Sequence, residues 1–201
     1  MCRDTWTPVC VSKAQTRLGT HTHPQMDART RAAFECIGTK DSAAVLRELL
    51  GEGLDANACL TTDTGLVFNL ISIACIRDDC AAVEVLANGG VDLNEFMKFH
   101  EEGETPLTYS LFMKRDSMVD TLLLLDTDVN RTDNHGESPL MYAVSNGDLA
   151  RVQQLVELGA DVNHCSDFDN TPLDLARDKG VQSVVDFLVQ RGAVVEDEPM
   201  E

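Results

Sequence analysis

No apolar run in the sequence approaches 18 residues, so it offers no transmembrane helix. It is short of positive charge: 16 lysines and arginines stand against 34 aspartates and glutamates, a net of −18. A nucleic-acid partner calls for a basic footprint, and this chain carries the reverse. An anionic membrane surface is disfavoured on the same ground. No secretory signal precedes the seven cysteines (Cys2, Cys10, Cys36, Cys59, Cys75, Cys80 and Cys165), and an odd number cannot all pair within one chain. A reducing cytoplasmic or nuclear setting is the expectation. Catalytic signatures are missing too: no Gly-rich phosphate loop, no G-x-S-x-G and no H-E-x-x-H. The expectation is therefore a protein that is not an enzyme and carries no cofactor.

The charge is uneven. Residues 1–26 carry Arg3, Lys13 and Arg17 against Asp4, a net of +2, which leaves −20 on residues 27–201. A partner that uses charge should then be neutral or basic. Residues 1–26 are Thr-rich and lack an apolar core, and they read as a disordered tail. Their Arg pattern is too thin for a convincing transit peptide. Cys2, Cys10, His21 and His23 are ligand types that zinc accepts, but their spacings match no standard site, so no metal is expected. Cys75 and Cys80 read as packing residues rather than a redox pair.

Internal repetition dominates the rest. Asp-x-Asn recurs as Asp55-Ala56-Asn57, Asp92-Leu93-Asn94, Asp128-Val129-Asn130 and Asp161-Val162-Asn163, with asparagine spacings of 37, 36 and 33. A second ladder runs Thr105-Pro106-Leu107, Ser138-Pro139-Leu140 and Thr171-Pro172-Leu173, with both spacings 33. A shared period marks a repeat architecture. Each piece has a physical cause. A Thr or Ser hydroxyl caps free amides at a helix start, and proline suits the first helical position. A second helix follows in each unit. Its apolar pairs are Leu49-Leu50, Val83 with Leu86, Val119 with Leu122, Val152 with Leu155 and Val185 with Leu188, spaced to line one face. Gly53, Gly90, Gly159 and Gly192 follow where a left-handed residue ends the helix, and Asp126 stands there in the third unit. The Asp-x-Asn residues build the same turn in every unit rather than a calcium or carboxylate site.

These residues resemble the ankyrin-repeat family. The closest unit is Asp133 to Asn163: Asp133, Gly136, Ser138-Pro139-Leu140, Ala143, Gly147, Val152, Leu155 and Gly159-Ala160-Asp161-Val162-Asn163. Units of this kind span about 27–57, 64–94, 100–130, 133–163 and 166–196. The resemblance implies an all-α solenoid of paired antiparallel helices with hairpin or loop tips, over residues 27–196, with an acidic tail at 197–201. It departs from the family in three ways. The family histidine after T-P-L is replaced by Thr108, Met141 and Asp174, which should lower stability modestly. Asn69-Leu70-Ile71 replaces T-P-L in the second unit. The first unit has no hairpin signal. The longer spacings place insertions between the first and second and between the second and third of these units, and the resemblance implies that they are hairpin tips, in 58–68 and 95–104.

Family members bind proteins through their concave face and tips, so the resemblance implies a protein-binding adaptor or regulator, monomeric alone. A homo-oligomeric scaffold or an inhibitory subunit of an enzyme are the alternatives. Insertions in repeat arrays commonly lie on the binding face. Phe96, Met97 and Phe99 are therefore candidate anchors, because aromatics make good interface contacts; folding back over the second unit's core is the other reading. Glu101, Glu102 and Glu104 in the same stretch would select a basic partner or form a solvated face. Phe112 and Met113 fall at the end of the third unit's inner helix. Asn134, His135 and Glu137 form the fourth unit's tip, and Phe168 lies at the fifth. These twelve residues are the expected partner-binding set.

Overall fold

A computed structural model describes residues 26–61, 66–98 and 103–194. The expected tails, Phe99, Glu101 and Glu102, and Cys2, Cys10, His21 and His23 lie outside the described residues. Ten helices and one two-stranded sheet stand among them. The chain divides into two compact units. The first runs to Leu93 and takes in Met97 and Lys98; the second holds Asn94–Phe96 and the chain from Gly103 onward.

The first unit opens with α1 (Ala28–Cys36). Asp27 caps it: one carboxylate oxygen accepts the amides of Arg29 and Thr30, each at 2.9 Å, and the other accepts the Thr30 hydroxyl at 2.6 Å. The Thr30 side-chain bond leads in holding the Asp27 carboxyl below its ordinary value. In α2 (Ser42–Gly51) the buried apolar residue is Leu46, while Leu49 and Leu50 are only half-buried. The stripe expected on that pair thus falls one turn earlier. Next come β1 (Cys59–Thr61) and β2 (Val67–Asn69), an antiparallel pair with Leu60 opposite Phe68. This is the lengthened tip expected in 58–68. Leu60 and Phe68 both turn inward, as alternation along a strand requires.

Asn69 explains the lost T-P-L. It caps α3 (Leu70–Ile76): its side-chain oxygen accepts the Ser72 amide at 3.0 Å and also the Ser72 hydroxyl. An amide oxygen does the work of a threonine hydroxyl here. All seven residues of α3 are buried. Cys75 belongs to α3 and Cys80 opens α4 (Cys80–Asn88); they stand on either side of one turn, with no disulfide between them. That turn also holds α1. The Arg77 guanidinium donates to the carbonyls of Phe34 and Ile37, and the Asp79 carboxylate accepts the Gly38 amide at 2.7 Å. The last carbonyls of α1 thereby find partners that their own helix cannot supply.

The second unit contains three helix pairs: α5 (Pro106–Phe112) with α6 (Asp116–Leu124), α7 (Pro139–Asn146) with α8 (Leu149–Glu157), and α9 (Pro172–Asp178) with α10 (Gln182–Gln190). Thr105, Ser138 and Thr171 cap the first helix of each pair, with proline at the first position, as the T-P-L ladder requires. Two of the residues standing in for the family histidine are put to use. Thr108 and Asp174 return hydrogen bonds to the amides of Thr105 and Thr171, completing reciprocal caps at 2.9 and 3.0 Å. Met141 is buried instead.

The inner helices α5, α7 and α9 pack side by side, and each outer helix closes over its own pair. Val119, Leu122, Val152, Leu155 and Leu188 are buried as the pattern requires, whereas α10 buries Val184 and leaves Val185 half-exposed. Arg151 joins two outer helices, 2.5 Å from Asp120 and 3.5 Å from Asp116. The helix-ending positions are left-handed as expected: φ is +94° at Gly159 and +92° at Gly192, and Asp126 adopts +54° in the third repeat.

The asparagine ladder is a set of staples between repeats. Asn94 accepts the Asp128 amide, Asn130 the Asp161 amide and Asn163 the Val194 amide, each at 2.8 Å. Asn130 and Asn163 also donate, to the Gly159 and Gly192 carbonyls at 3.0 and 3.1 Å. The aspartates act within their own turns: Asp55, Asp128 and Asp161 each accept the amide two residues on, at 2.9 Å. One residue type therefore builds the turn and the other joins it to the next repeat.

Candidate protein-binding face

The exposed candidates gather on the second unit. The fourth repeat's tip is organised by Asp133, which is itself buried. One carboxylate oxygen accepts the amides of His135 at 2.9 Å and Glu137 at 2.8 Å. The other accepts the Tyr142 hydroxyl at 2.7 Å. Burial first, and then the Asp133 charge, push the Tyr142 phenol well above its ordinary pKa. The loop is left-handed at Gly136, φ +69°, where an added Cβ would come within 2.8 Å of the Asp167 carboxylate. The fifth repeat's tip is stitched to it: the Asp167 amide donates to the His135 carbonyl at 3.1 Å. His164 Nε2 lies 2.7 Å from the Gly136 carbonyl and donates to it.

This scaffold brings two aromatic pairs to the surface. The rings of His135 and Phe168 lie 5.8 Å apart at 32°. Phe168 is 60% exposed. Deeper on the same unit, the Phe112 ring meets Tyr142 edge-on at 6.2 Å and 82°, and is 41% exposed. Tyr142 connects the pairs, because its hydroxyl reaches the tip and its ring reaches α5. Met113 ends α5, half-buried. Asn134 is exposed and packs against Gly103; Glu137 is half-buried.

The inserted stretch at 95–98 behaves differently from the expectation. Phe96 is 38% exposed, but the Arg131 guanidinium covers its ring at 4.9 Å while Arg131 Nε donates to the Asn94 carbonyl at 3.2 Å. Met97 is not a surface anchor: it is 3% exposed in the first unit. Its apolar side chain is better placed in a core than in water, and the next amide, Lys98, is fixed to the Ser72 hydroxyl at 2.9 Å. Its burial agrees with the reading in which this stretch folds back over the second repeat, which belongs to the first compact unit. Glu104 is likewise removed from the face, being 8% exposed. It immediately precedes the Thr105 cap.

Tyr142, Asp133 and Arg131 were not among the residues singled out from sequence. Asp133 was read only as part of the repeat pattern. A tyrosine in the middle of an inner helix, nine residues after a tip aspartate, is the signal that Tyr142 carried.

Among the described residues, no three His, Cys, Asp or Glu side chains gather where a metal ion would be held. No described helix is long and apolar enough to cross a membrane.

Helix pairs with capped starts, left-handed ends and one tip per pair define a helical-repeat protein. A family model described as ankyrin repeats (3 copies) matches residues 33–133 and 114–198, and the chain belongs to the ankyrin-repeat family. No curated protein matches it. Ankyrin repeats are protein–protein interaction modules, and binding another protein is the general role that membership carries.

Proposed function

We propose that the protein is an adaptor or regulator that holds another protein against the tips and inner helices of its second unit. The observation that carries this reading is the exposed Phe168 ring paired with His135, on a tip held rigid by the buried Asp133. Rigid, partly exposed aromatics give large contact area at small entropic cost, which is what interface anchors need. Phe112 with Tyr142 extends the same apolar surface. The net charge of −18 supports a neutral or basic partner surface. The protein catalyses nothing itself and works in the reducing cytoplasm or nucleus; the thiols of Cys36, Cys59, Cys80 and Cys165, in no disulfide among the described residues, support that setting.

The test compares proteins captured from a cell lysate by the intact chain and by a Phe168→Ser, Phe112→Ser double variant of unchanged thermal midpoint. Partners retained by the intact chain and lost by the variant are expected. Identical partner sets would sink the proposed face. Sedimentation of the chain alone should show a monomer; a concentration-dependent dimer would favour a homo-oligomeric scaffold instead.

A further inference from the structure

Two phenylalanines of the second unit, the partly exposed Phe96 and the half-buried Phe187, lie under arginines. Arg131 stands over Phe96 and Arg191 over Phe187, each guanidinium carbon 4.9 Å from the ring centroid. The electron-rich ring face attracts the planar cation, and Arg suits this better than Lys because its guanidinium is weakly hydrated and flat. Phe168 is more exposed than Phe96 and, among the described residues, has no such cover: its ring neighbour there is His135. It is flanked in the chain by Asp167 and Asp169, both exposed. Neither aspartate side chain forms an ion pair or accepts a hydrogen bond from any described residue. The Asp169 backbone is left-handed, φ +57°, so the loop presents Phe168 at a turn rather than within a helix.

We infer that this tip takes an arginine side chain of the partner, stacked on Phe168 and met by Asp167 and Asp169, so that the partner segment is basic and carries at least one exposed arginine. The inference rests on the second unit's tips being the binding face. An aromatic plane beside two solvated carboxylates complements a guanidinium in shape and charge together. It complements a neutral apolar side chain in neither respect at the carboxylates. The acidic balance of the chain would speed capture of such a segment, and that part of the attraction weakens with salt.

The probe is a fluorescein-labelled ten-residue peptide alternating Arg and Ser, with its Lys–Ser counterpart, titrated with the full chain by fluorescence anisotropy. The Arg peptide should bind several-fold more tightly than the Lys peptide. Phe168→Leu, which keeps apolar bulk but removes the π face, should weaken the Arg peptide by about threefold to fivefold. Asp167→Asn with Asp169→Asn should weaken it by about tenfold and flatten its salt dependence. Asp126→Asn with Asp186→Asn removes the same charge from elsewhere and should change it less than twofold. Thermal midpoints identify any variant that has lost its fold. An outer pair that costs as much as the tip pair, or a Phe168→Leu chain that binds normally, would overturn the inference. So would an Arg peptide that does not bind. Failure here is separable from failure of the binding face. A lysate partner lost on Phe168→Ser but indifferent to the tip aspartates refutes the arginine and keeps the face.

Discussion

Tyr142 donates its hydroxyl to the buried Asp133 carboxylate at 2.7 Å, and so ties an inner helix to the tip that presents His135. Phe in its place keeps the ring and its edge contact with Phe112 but removes the bond to a charged acceptor. Tyr142→Phe should lower stability by about 1–3 kcal/mol, read as a fall in the urea midpoint at constant slope. An unchanged midpoint would mean that the two backbone amides satisfy Asp133 by themselves.

The same phenol gives a pH dependence. Its folded pKa is raised, by burial and by the Asp133 charge, so the folded chain keeps the proton that an unfolded tyrosine releases near pH 10. That contribution is complete below about pH 10 and is lost as the pH climbs beyond it, because only the unfolded state gains by ionising. Urea midpoints of the parent should drop above about pH 10 more steeply than those of Tyr142→Phe. Parallel curves for the two chains would contradict it.

Asn130 makes both halves of a staple, accepting the Asp161 amide and donating to the Gly159 carbonyl. Asn130→Ala deletes both bonds at an exposed site, where water partly replaces them. The expected cost is about 1–2 kcal/mol. Amide hydrogen exchange at Asp161 should quicken as well, since its acceptor is gone; protection retained at Asp161 would deny the staple.

Asp126 occupies a left-handed position, φ +54°, that glycine fills at the ends of the fourth and fifth repeats. Asp126→Gly should raise stability by about 0.5–1 kcal/mol through relief of Cβ strain, less what glycine costs in the unfolded chain. A loss of stability would show that the aspartate earns its place by another contact.

Ser72 links the Asn69 cap to Lys98 within the first unit, its hydroxyl accepting the Lys98 amide at 2.9 Å. Ser72→Ala should leave α3 capped through the Ser72 backbone amide while the Lys98 amide loses its protection from exchange. Equal protection in both chains would place the anchor of Met97 elsewhere.

The repeat architecture was legible in the residues because it is local chemistry repeated. Thr105, Ser138 and Thr171 must cap, the following prolines must sit at a helix start, and Gly159 and Gly192 must turn left-handed, whatever else the chain touches. The outer-helix leucines followed from spacing alone, except in α2 and α10, where Leu46 and Val184 take the buried places. Departures were harder to read. That Asn69 replaces a threonine cap, and that Thr108 and Asp174 serve as return caps, depends on where a side-chain oxygen points once the turn has formed.

Exposure was decided only by the tertiary structure. Met97, Phe96 and Glu104 share one insertion and look alike as candidates in sequence, yet Met97 and Glu104 are buried and Phe96 lies under Arg131. Phe168 and His135 are 33 residues apart and meet only because successive repeats set their tips side by side. Period, caps and turns are short-range and were written into the residues themselves. Which aromatic ring stays open to a partner is set by neighbours a whole repeat away, and only packing brings those neighbours to it.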